Sequence, residues 1–231
     1  MTEFENINFD EILDDGFSIL SEEINISDMM DADENNEQTI FPILPVRNMV
    51  MFPKVIIPIT AGREMSIKLL EEAQRNNEYI GILAQNNSSI ENPTTEDLFQ
   101  VGTLAKIIKI IKLPEGNITA ITRGFQRFKV KQFTSTKPYF KAEVTKLKDT
   151  STKKKEEYEA LLENVKALAL KIIDIDPNIP NAATFAVKNI SDNEDLLNFI
   201  CSNGNFSPNE KQKLLEEKSL MIRAEKCYLL M

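Results

Sequence analysis

Residues 41–63, FPILPVRNMVMFPKVIIPITAGR, constrain the fold more than any other stretch of this chain. Pro42, Pro45, Pro53 and Pro58 sit there in apolar sequence without breaking its alternation. Proline has a fixed φ and no backbone donor, so in a sheet it belongs at strand starts, edges and bulges. The run is too regular for a linker and too rich in proline for a helix. It predicts two extended segments, 40–46 and 54–60, as edge strands or strand ends. A connection holding Arg47 and Asn48 joins them, and a folded domain begins here.

Composition narrows the chemistry. The chain has 231 residues, enough for one large domain or two small ones, and 42% of them are apolar. No run approaches the roughly 20 consecutive apolar residues of a membrane helix. The first residues carry no basic charge and no apolar signal core, so the expected location is the cytoplasm. There is no histidine, which removes the commonest acid–base group and zinc ligand. Cys201 and Cys227 fall in helical patterns and read as small buried apolar residues rather than a disulfide. No phosphate loop, dinucleotide glycine motif or nucleophile elbow is present. The expectation is no catalysis, no cofactor and no metal in this chain alone.

The net charge of −9 hides a partition. Residues 1–40 hold 13 acidic residues and no Lys or Arg, whereas residues 101–155 hold 14 Lys/Arg against Glu115, Glu143 and Asp149. Residues 1–38 therefore read as an acidic, disordered arm. A sharper alternative is a helical stripe of Phe9, Ile12, Leu13, Phe17 and Leu20 that docks on a partner, although Gly16 interrupts it.

From residue 39 to about 150 the pattern is mostly β. The segment 63–75 departs from it, with Ile67, Leu70 and Ala73 on one helical face. Strands are expected over 79–84, 101–113 and 118–122, with a polar loop at 85–97 and a turn at Pro114-Glu115-Gly116-Asn117. Apolar residues of both parities in 101–113 imply burial on both faces or a bulge. Gly124 is expected to break the strand that starts at 118. Phe128/Val130 and Phe140/Ala142/Val144 alternate with charged residues as half-buried strands. Together these give a small, partly open barrel with one embedded helix.

From residue 151 the period becomes helical. Tyr158, Leu161, Leu162, Val165, Leu168 and Ile172 mark a long helix ending near 174–177, and residues 182–190 a short one. Ser191-Asp192-Asn193-Glu194 and Ser207-Pro208-Asn209-Glu210 read as capping boxes, the second with proline at the first helical position. The last helix is expected to run unbroken toward Met231, and a chain stopping inside it reads as one that continued further.

The ordered set Leu44-Pro45-Val46-Arg47-Asn48, Val50, Phe52-Pro53, Pro58, Gly62-Arg63 and Ser66-Ile67 resembles the N-terminal region of the ATP-dependent Lon proteases. The likeness continues through Gln85, Asp97-Leu98, Val101-Gly102-Thr103, Ala105, Leu113-Pro114, Gly116, Gly124 and Arg127-Phe128. It is echoed at Lys211-Gln212, Leu214-Leu215-Glu216 and Arg223. Asn48 departs from it, standing where the family usually carries an acid, and residues 1–38 lie outside it. The resemblance implies an α+β chain: a PUA-like β pseudo-barrel (39–150) with one embedded helix, then an all-helical bundle (151–231). It implies a substrate-recognition and assembly role, with unfolded or tagged protein clients and other Lon subunits as partners. The family's ATPase and Ser–Lys peptidase lie C-terminal to this region, so their catalytic residues map to no position here.

Client selection calls for contacts that tolerate many sequences, which exposed thioethers and aromatic rings provide. Met49, Met51 and Phe52 are the candidate client contacts; the alternative is that they cap the barrel. Pro45, Arg47, Pro53, Arg63, Gly102, Gly116 and Gly124 read as scaffold, with Arg47 and Arg63 expected on backbone carbonyls or on Glu64 or Glu71. A rival reading makes the basic 101–155 surface a weak nucleic-acid site. There Lys106, Lys109, Lys112, Arg123, Arg127, Lys129 and Lys131 would meet phosphates, and Phe125 or Phe133 would stack on a base. The bland alternative is a solvated basic face.

Overall fold

The proline-bearing strand is not an edge. In the computed structural model, which describes residues 39–113, 116–150 and 154–231, β1 (Ile40–Val46) lies between β3 (Ile80–Ala84) and β6 (Phe140–Lys146). It pairs with each through a different half: Ile40–Ile43 run antiparallel to β6 and Ile43–Val46 parallel to β3. The Gln85 amide donates to the Val46 carbonyl at 2.9 Å, so Leu44 and Val46 direct their backbone groups to β3 and Pro45 faces away from it. The Val144 amide donates to the Thr39 carbonyl at 2.8 Å, which sets Thr39, Phe41 and Ile43 toward β6 and turns Pro42 away. Neither proline removes a bond from the ladder it occupies. Pro58 sits on the true edge strand, β2 (Ile56–Ala61), which among the described residues pairs only with β5.

Between β2 and β3 runs α1 (Glu64–Asn76), the expected embedded helix. β4 (Val101–Lys112) and β5 (Ile118–Ser135) form the longest hairpin. The strand order is β2-β5-β4-β3-β1-β6, and β6 pairs back onto β5, so five strands close into a ring with β2 appended. β5 makes the closure possible by length. Its first part carries β2 and β4, and its later part carries β6.

Two irregularities bend this hairpin. Ile107 faces Thr122 and Lys109 faces Ile121, so Ile108 is the extra residue. The mixed parity of 101–113 implies burial on both faces or a bulge, and both are present: Val101–Ala105 are buried without alternation, and the bulge follows at Ile108. At Gly124 the expectation of a strand end is corrected, because β5 passes straight through. Leu104 faces Gln126 and Ala105 faces Gly124, so the ladder skips Phe125. A Cβ on Gly124 would stand 2.3 Å from the Phe52 carbonyl oxygen. Glycine is needed here because the 52–55 segment crosses against β5, with the Lys54 amide donating to Gly124 and the Gly124 amide donating to Val55, both at 3.0 Å.

Phe41, Ile43, Leu83, Leu104, Phe128, Val130, Phe140, Ala142 and Val144 come from all five ring strands and form one core. The opposite faces of β1, β3 and β4 join α1 and the helices in a second, larger core. Burial on both faces is why β1 lacks hydrophobic alternation.

The helical part comprises α2 (Lys155–Ile175), α3 (Asn181–Asn189), α4 (Asn193–Asn203), α5 (Pro208–Glu216) and α6 (Leu220–Leu230). α2 buries Tyr158, Leu162, Val165 and Ala169, one stripe at helical spacing. The Ser207–Glu210 capping box forms with proline at the first turn. The other expected box does not: Asp192, not Ser191, caps α4, accepting from the amides of Glu194 and Asp195. The long terminal helix is also corrected to two. Residues 217–219 interrupt it, and the Ser219 hydroxyl caps α6. The Thr150 amide takes the Lys218 carbonyl at 2.9 Å, stitching this break to the segment after β6. The expected arm and its Phe9–Leu20 stripe lie outside the described residues, as do Pro114, Glu115 and residues 151–153. No helix among the described residues is long and apolar enough to cross a membrane.

Candidate functional site

The expected client contacts are mostly core. Met51 is 2% exposed and Phe52 is fully buried, both inside the larger hydrophobic cluster. The Thr103 hydroxyl donates to the Met51 carbonyl at 2.6 Å, and Phe52 lies over Gly124. These contacts press the 51–55 segment onto β4 and β5, so Met51 and Phe52 follow the alternative of capping the barrel rather than standing as exposed client contacts. Only Met49 keeps part of its surface, leaning on the same core. Asn48 before it has φ 53°, a left-handed conformation that asparagine tolerates.

Arg47 and Arg63 tie down the loop after β3, and not through Glu64 or Glu71. Arg63 donates to Gln85 Oε1 at 2.7 Å, and Gln85 Nε2 donates to the carbonyls of Ile90 (2.9 Å) and Asn87 (3.3 Å). Arg47 donates to the Glu91 carbonyl at 3.4 Å. Burial and then the neighbouring Arg47 charge lower the Arg63 pKa. Glu71 instead pairs with Lys112 at 3.2 Å. Pro45 lies in β1, Pro53 in the buried 51–55 segment, and Gly116 in the β4–β5 turn with φ 82°. Gly102 faces β3 so closely that a Cβ would stand 2.1 Å from the Ile82 carbonyl oxygen.

The joint between the strand ring and the helices is a buried charge cluster. Arg127 on β5 and Arg223 on α6 are 1% and 0% exposed, and both donate to Asp149 Oδ1 after β6. Arg127 also donates to the carbonyls of Leu215 (2.6 Å) and Glu217 (3.1 Å). Arg223 donates to Glu217 O (2.6 Å from Nη2) and Asn198 Oδ1 (3.2 Å). The guanidinium groups thus satisfy the carbonyls that α5 leaves open where it ends. Burial, then the Arg223 charge, lowers the Arg127 pKa. Burial pushes the Tyr158 hydroxyl pKa up, and its oxygen has no partner among the described residues. Gln212 Nε2 adds a second tie, donating to the Val101 carbonyl at 3.0 Å.

The rival nucleic-acid reading counts Arg127 among its phosphate contacts; the structure corrects this, because Arg127 faces the interior. Arg223 entered only as a residue of the resemblance. A signal existed for it, because Arg223, Ala224 and Cys227 make the buried stripe of α6. Cys227 and Cys201 are both buried free thiols, and burial raises the Cys201 pKa.

On the basic face, Lys106 lies 4.8 Å above the Tyr79 ring and Arg123 lies 5.8 Å from the Phe125 ring, while Tyr79 and Phe125 meet edge to face at 5.2 Å. These cations already occupy ring faces that a base would need. Phe133 meets Phe140 edge to face, and Lys131 pairs with Glu143 at 2.9 Å. Lys109, Lys112 and Lys129 are exposed.

Large exposed apolar side chains cluster on the helical part: Ile175 (79%) at the end of α2, Phe185 (64%) on α3, and Leu229 (82%) on α6. A shallow groove of about 590 Å³ between α5 and α6 is lined by Leu214, Leu229 and Leu230, with Lys213, Lys226 and Glu217 at its sides. Among the described residues no three His, Cys, Asp or Glu converge as metal ligands.

Residues 40–231 match the sequence profile of the ATP-dependent protease La (LON) substrate-binding domain. A Lon protease of Flavobacterium johnsoniae is 42% identical over 198 residues, covering 84% of this chain and 24% of the relative. One from Cytophaga hutchinsonii is 42% identical over 195 residues, with the same coverages. The chain therefore spans about a quarter of the length of these relatives. Among solved structures, the N-terminal domain of Mycobacterium avium complex Lon protease superposes with TM-score 0.64 at 19% identity, covering 81% of this chain and 95% of that one. A Lon N-terminal domain protein from Xanthomonas campestris gives 0.59 at 16% identity, covering 84% and 99%. The fold, the profile and the relatives agree: the chain belongs to the Lon substrate-binding domain family.

Proposed function

We propose that this chain recognises unfolded or damaged proteins and hands them to an ATPase and a Ser–Lys peptidase carried by a longer Lon-like polypeptide. The observation that carries this reading is the match to a substrate-binding family across all of residues 40–231. The strand unit (39–150) is a PUA-like pseudo-barrel, a reading that the closed five-strand ring supports. The helices (151–231) act as a subdomain that contributes to a hexamer of full-length subunits, and residues 1–38 are an added acidic arm. The working compartment is the cytoplasm.

Client contact falls to side chains that the fold leaves exposed. Ile175 and Phe185 flank the α2–α3 corner and offer apolar surface without sequence specificity. Met49 contributes its uncovered part. A protein client is favoured over nucleic acid by the inward placement of Arg127 and the self-occupied faces of Tyr79 and Phe125.

A retention experiment tests this. The immobilised chain should retain a reduced, carboxymethylated protein and let its native disulfide-bonded form pass. Equal passage of both forms would sink the proposal.

A further inference from the structure

The strand part has a sheet face that neither hydrophobic core uses. β2, β5 and β4 run side by side, and residues paired across antiparallel strands point to the same side. Ile57, Ile59, Ala120 and Ile110 turn to the larger core, which α1 shares. The other side carries three rows. Arg123 lies between Ile56 and Lys106, Ile121 between Pro58 and Lys109, and Thr119 between Thr60 and Ile111. The Thr60 and Thr119 hydroxyls, 3.0 Å apart, fix the shared side. Ile56, Ile111 and Ile121 keep part of their surface exposed and belong to neither core. A solvated antiparallel face ordinarily carries polar residues in such positions.

The charge of this face is one-sided. No acidic residue stands in the three rows, and Lys106, Lys109 and Arg123 make no ion pair among the described residues. Two acids later in the chain are already engaged, Glu143 by Lys131 and Asp149 by Arg127 and Arg223. Lys106 and Arg123 rest near the rings of Tyr79 and Phe125, at 4.8 and 5.8 Å, which holds both cations at one end of the face. A phosphate chain would engage the cations and leave the isoleucines wet, and branched aliphatic side chains give a base no flat surface to stack on. An extended polypeptide suits both features, because side chains along one edge can set apolar groups on the isoleucines and carboxylates on the cations.

We propose that this face binds an extended segment of client protein in which apolar and acidic residues are interspersed. The inference rests on the client reading above and narrows it, naming the class of segment chosen and adding a surface on different elements from the α2–α3 corner.

Fluorescence anisotropy at low salt tests the face with a peptide that intersperses isoleucine with glutamate, and with its copy carrying glutamine for every glutamate. The wild-type chain should bind the glutamate peptide about fivefold or more tightly than the copy, and added salt should narrow the gap. Lys109→Glu should weaken the glutamate peptide about fivefold or more and the copy little, and Ile121→Ser should weaken both. Lys68→Glu makes the same charge change at an exposed position of α1, on the opposite side of the sheet, and should shift either affinity by less than about twofold. Both lysine variants should keep Tm within about 2 °C of wild type. Equal affinity for the two peptides, or unchanged glutamate-peptide affinity in Lys109→Glu, overturns the proposal; continued retention of the reduced, carboxymethylated protein then leaves the client reading standing. Passage of that protein together with no peptide binding overturns both. A single-stranded oligonucleotide that binds more tightly than the glutamate peptide, and loses that binding in Lys109→Glu, assigns the face to nucleic acid and overturns the proposal.

Discussion

Replacing Arg223 by Met probes how the strand ring holds its helices. Met preserves much of the buried stem and removes the guanidinium, so the packing loss is small. Four donor contacts go: those to Asp149, two to the Glu217 carbonyl (2.6 and 3.2 Å), and one to Asn198 Oδ1 (3.2 Å). Removing one member of a buried ion pair costs about 3–5 kcal/mol, chiefly because the partner stays buried and uncompensated. Here Arg127 still reaches both Asp149 and the Glu217 carbonyl, which places the cost near the lower end, about 3 kcal/mol. For a domain of this size that is a fall of about 6–12 °C in Tm. Urea unfolding gives the free energy, and a cycle with Asp149→Asn isolates the pair. A loss below about 1 kcal/mol, the range of an exposed ion pair, would refute the view that this cluster fastens the joint.

Three further outcomes follow from the geometry. Gly124→Ala drives a methyl against the Phe52 carbonyl at 2.3 Å and should cost about 1–3 kcal/mol or more in urea unfolding. Ser207→Ala removes the hydroxyl half of the α5 capping box, leaving the residue 207 amide on Glu210, and should cost about 1 kcal/mol by the same measurement. Phe185→Ser should weaken retention of an unfolded protein while leaving Tm within about 2 °C of wild type, since the ring is 64% exposed; unchanged retention would remove the α2–α3 corner as a client contact.

The parts legible in the sequence were those governed by local rules. The periodicity of α2 and the Ser207–Pro208–Glu210 helix start are written in spacing and composition, and they appear where expected. The errors came where distant segments decide. The residues around Gly124 look like a strand end because glycine is a breaker. Their continuity depends on the 52–55 segment crossing above, which no local pattern reveals. β1 looked like an edge because prolines usually mark edges; its two half-length partners leave each proline clear of the ladder it sits in. The break between α5 and α6 has a local signal in Ser219, but Arg127, Arg223 and Thr150 from elsewhere satisfy its open backbone groups. Which of Met49, Met51 and Phe52 stays exposed is not legible locally either, since the surface covering Met51 and Phe52 comes from β4 and β5. The proposed client surface accordingly moves from Met51 and Phe52, which are buried, to side chains exposed on the helices.

The most direct test of the account is a side-by-side binding measurement on the chain. A fluorescent, permanently unfolded protein and a fluorescent single-stranded oligonucleotide are titrated separately at low salt and followed by anisotropy. The account predicts saturable binding of the unfolded protein, weakened by Phe185→Ser, with the oligonucleotide binding more weakly. Tight, salt-sensitive binding of the oligonucleotide with no binding of the unfolded protein would contradict it.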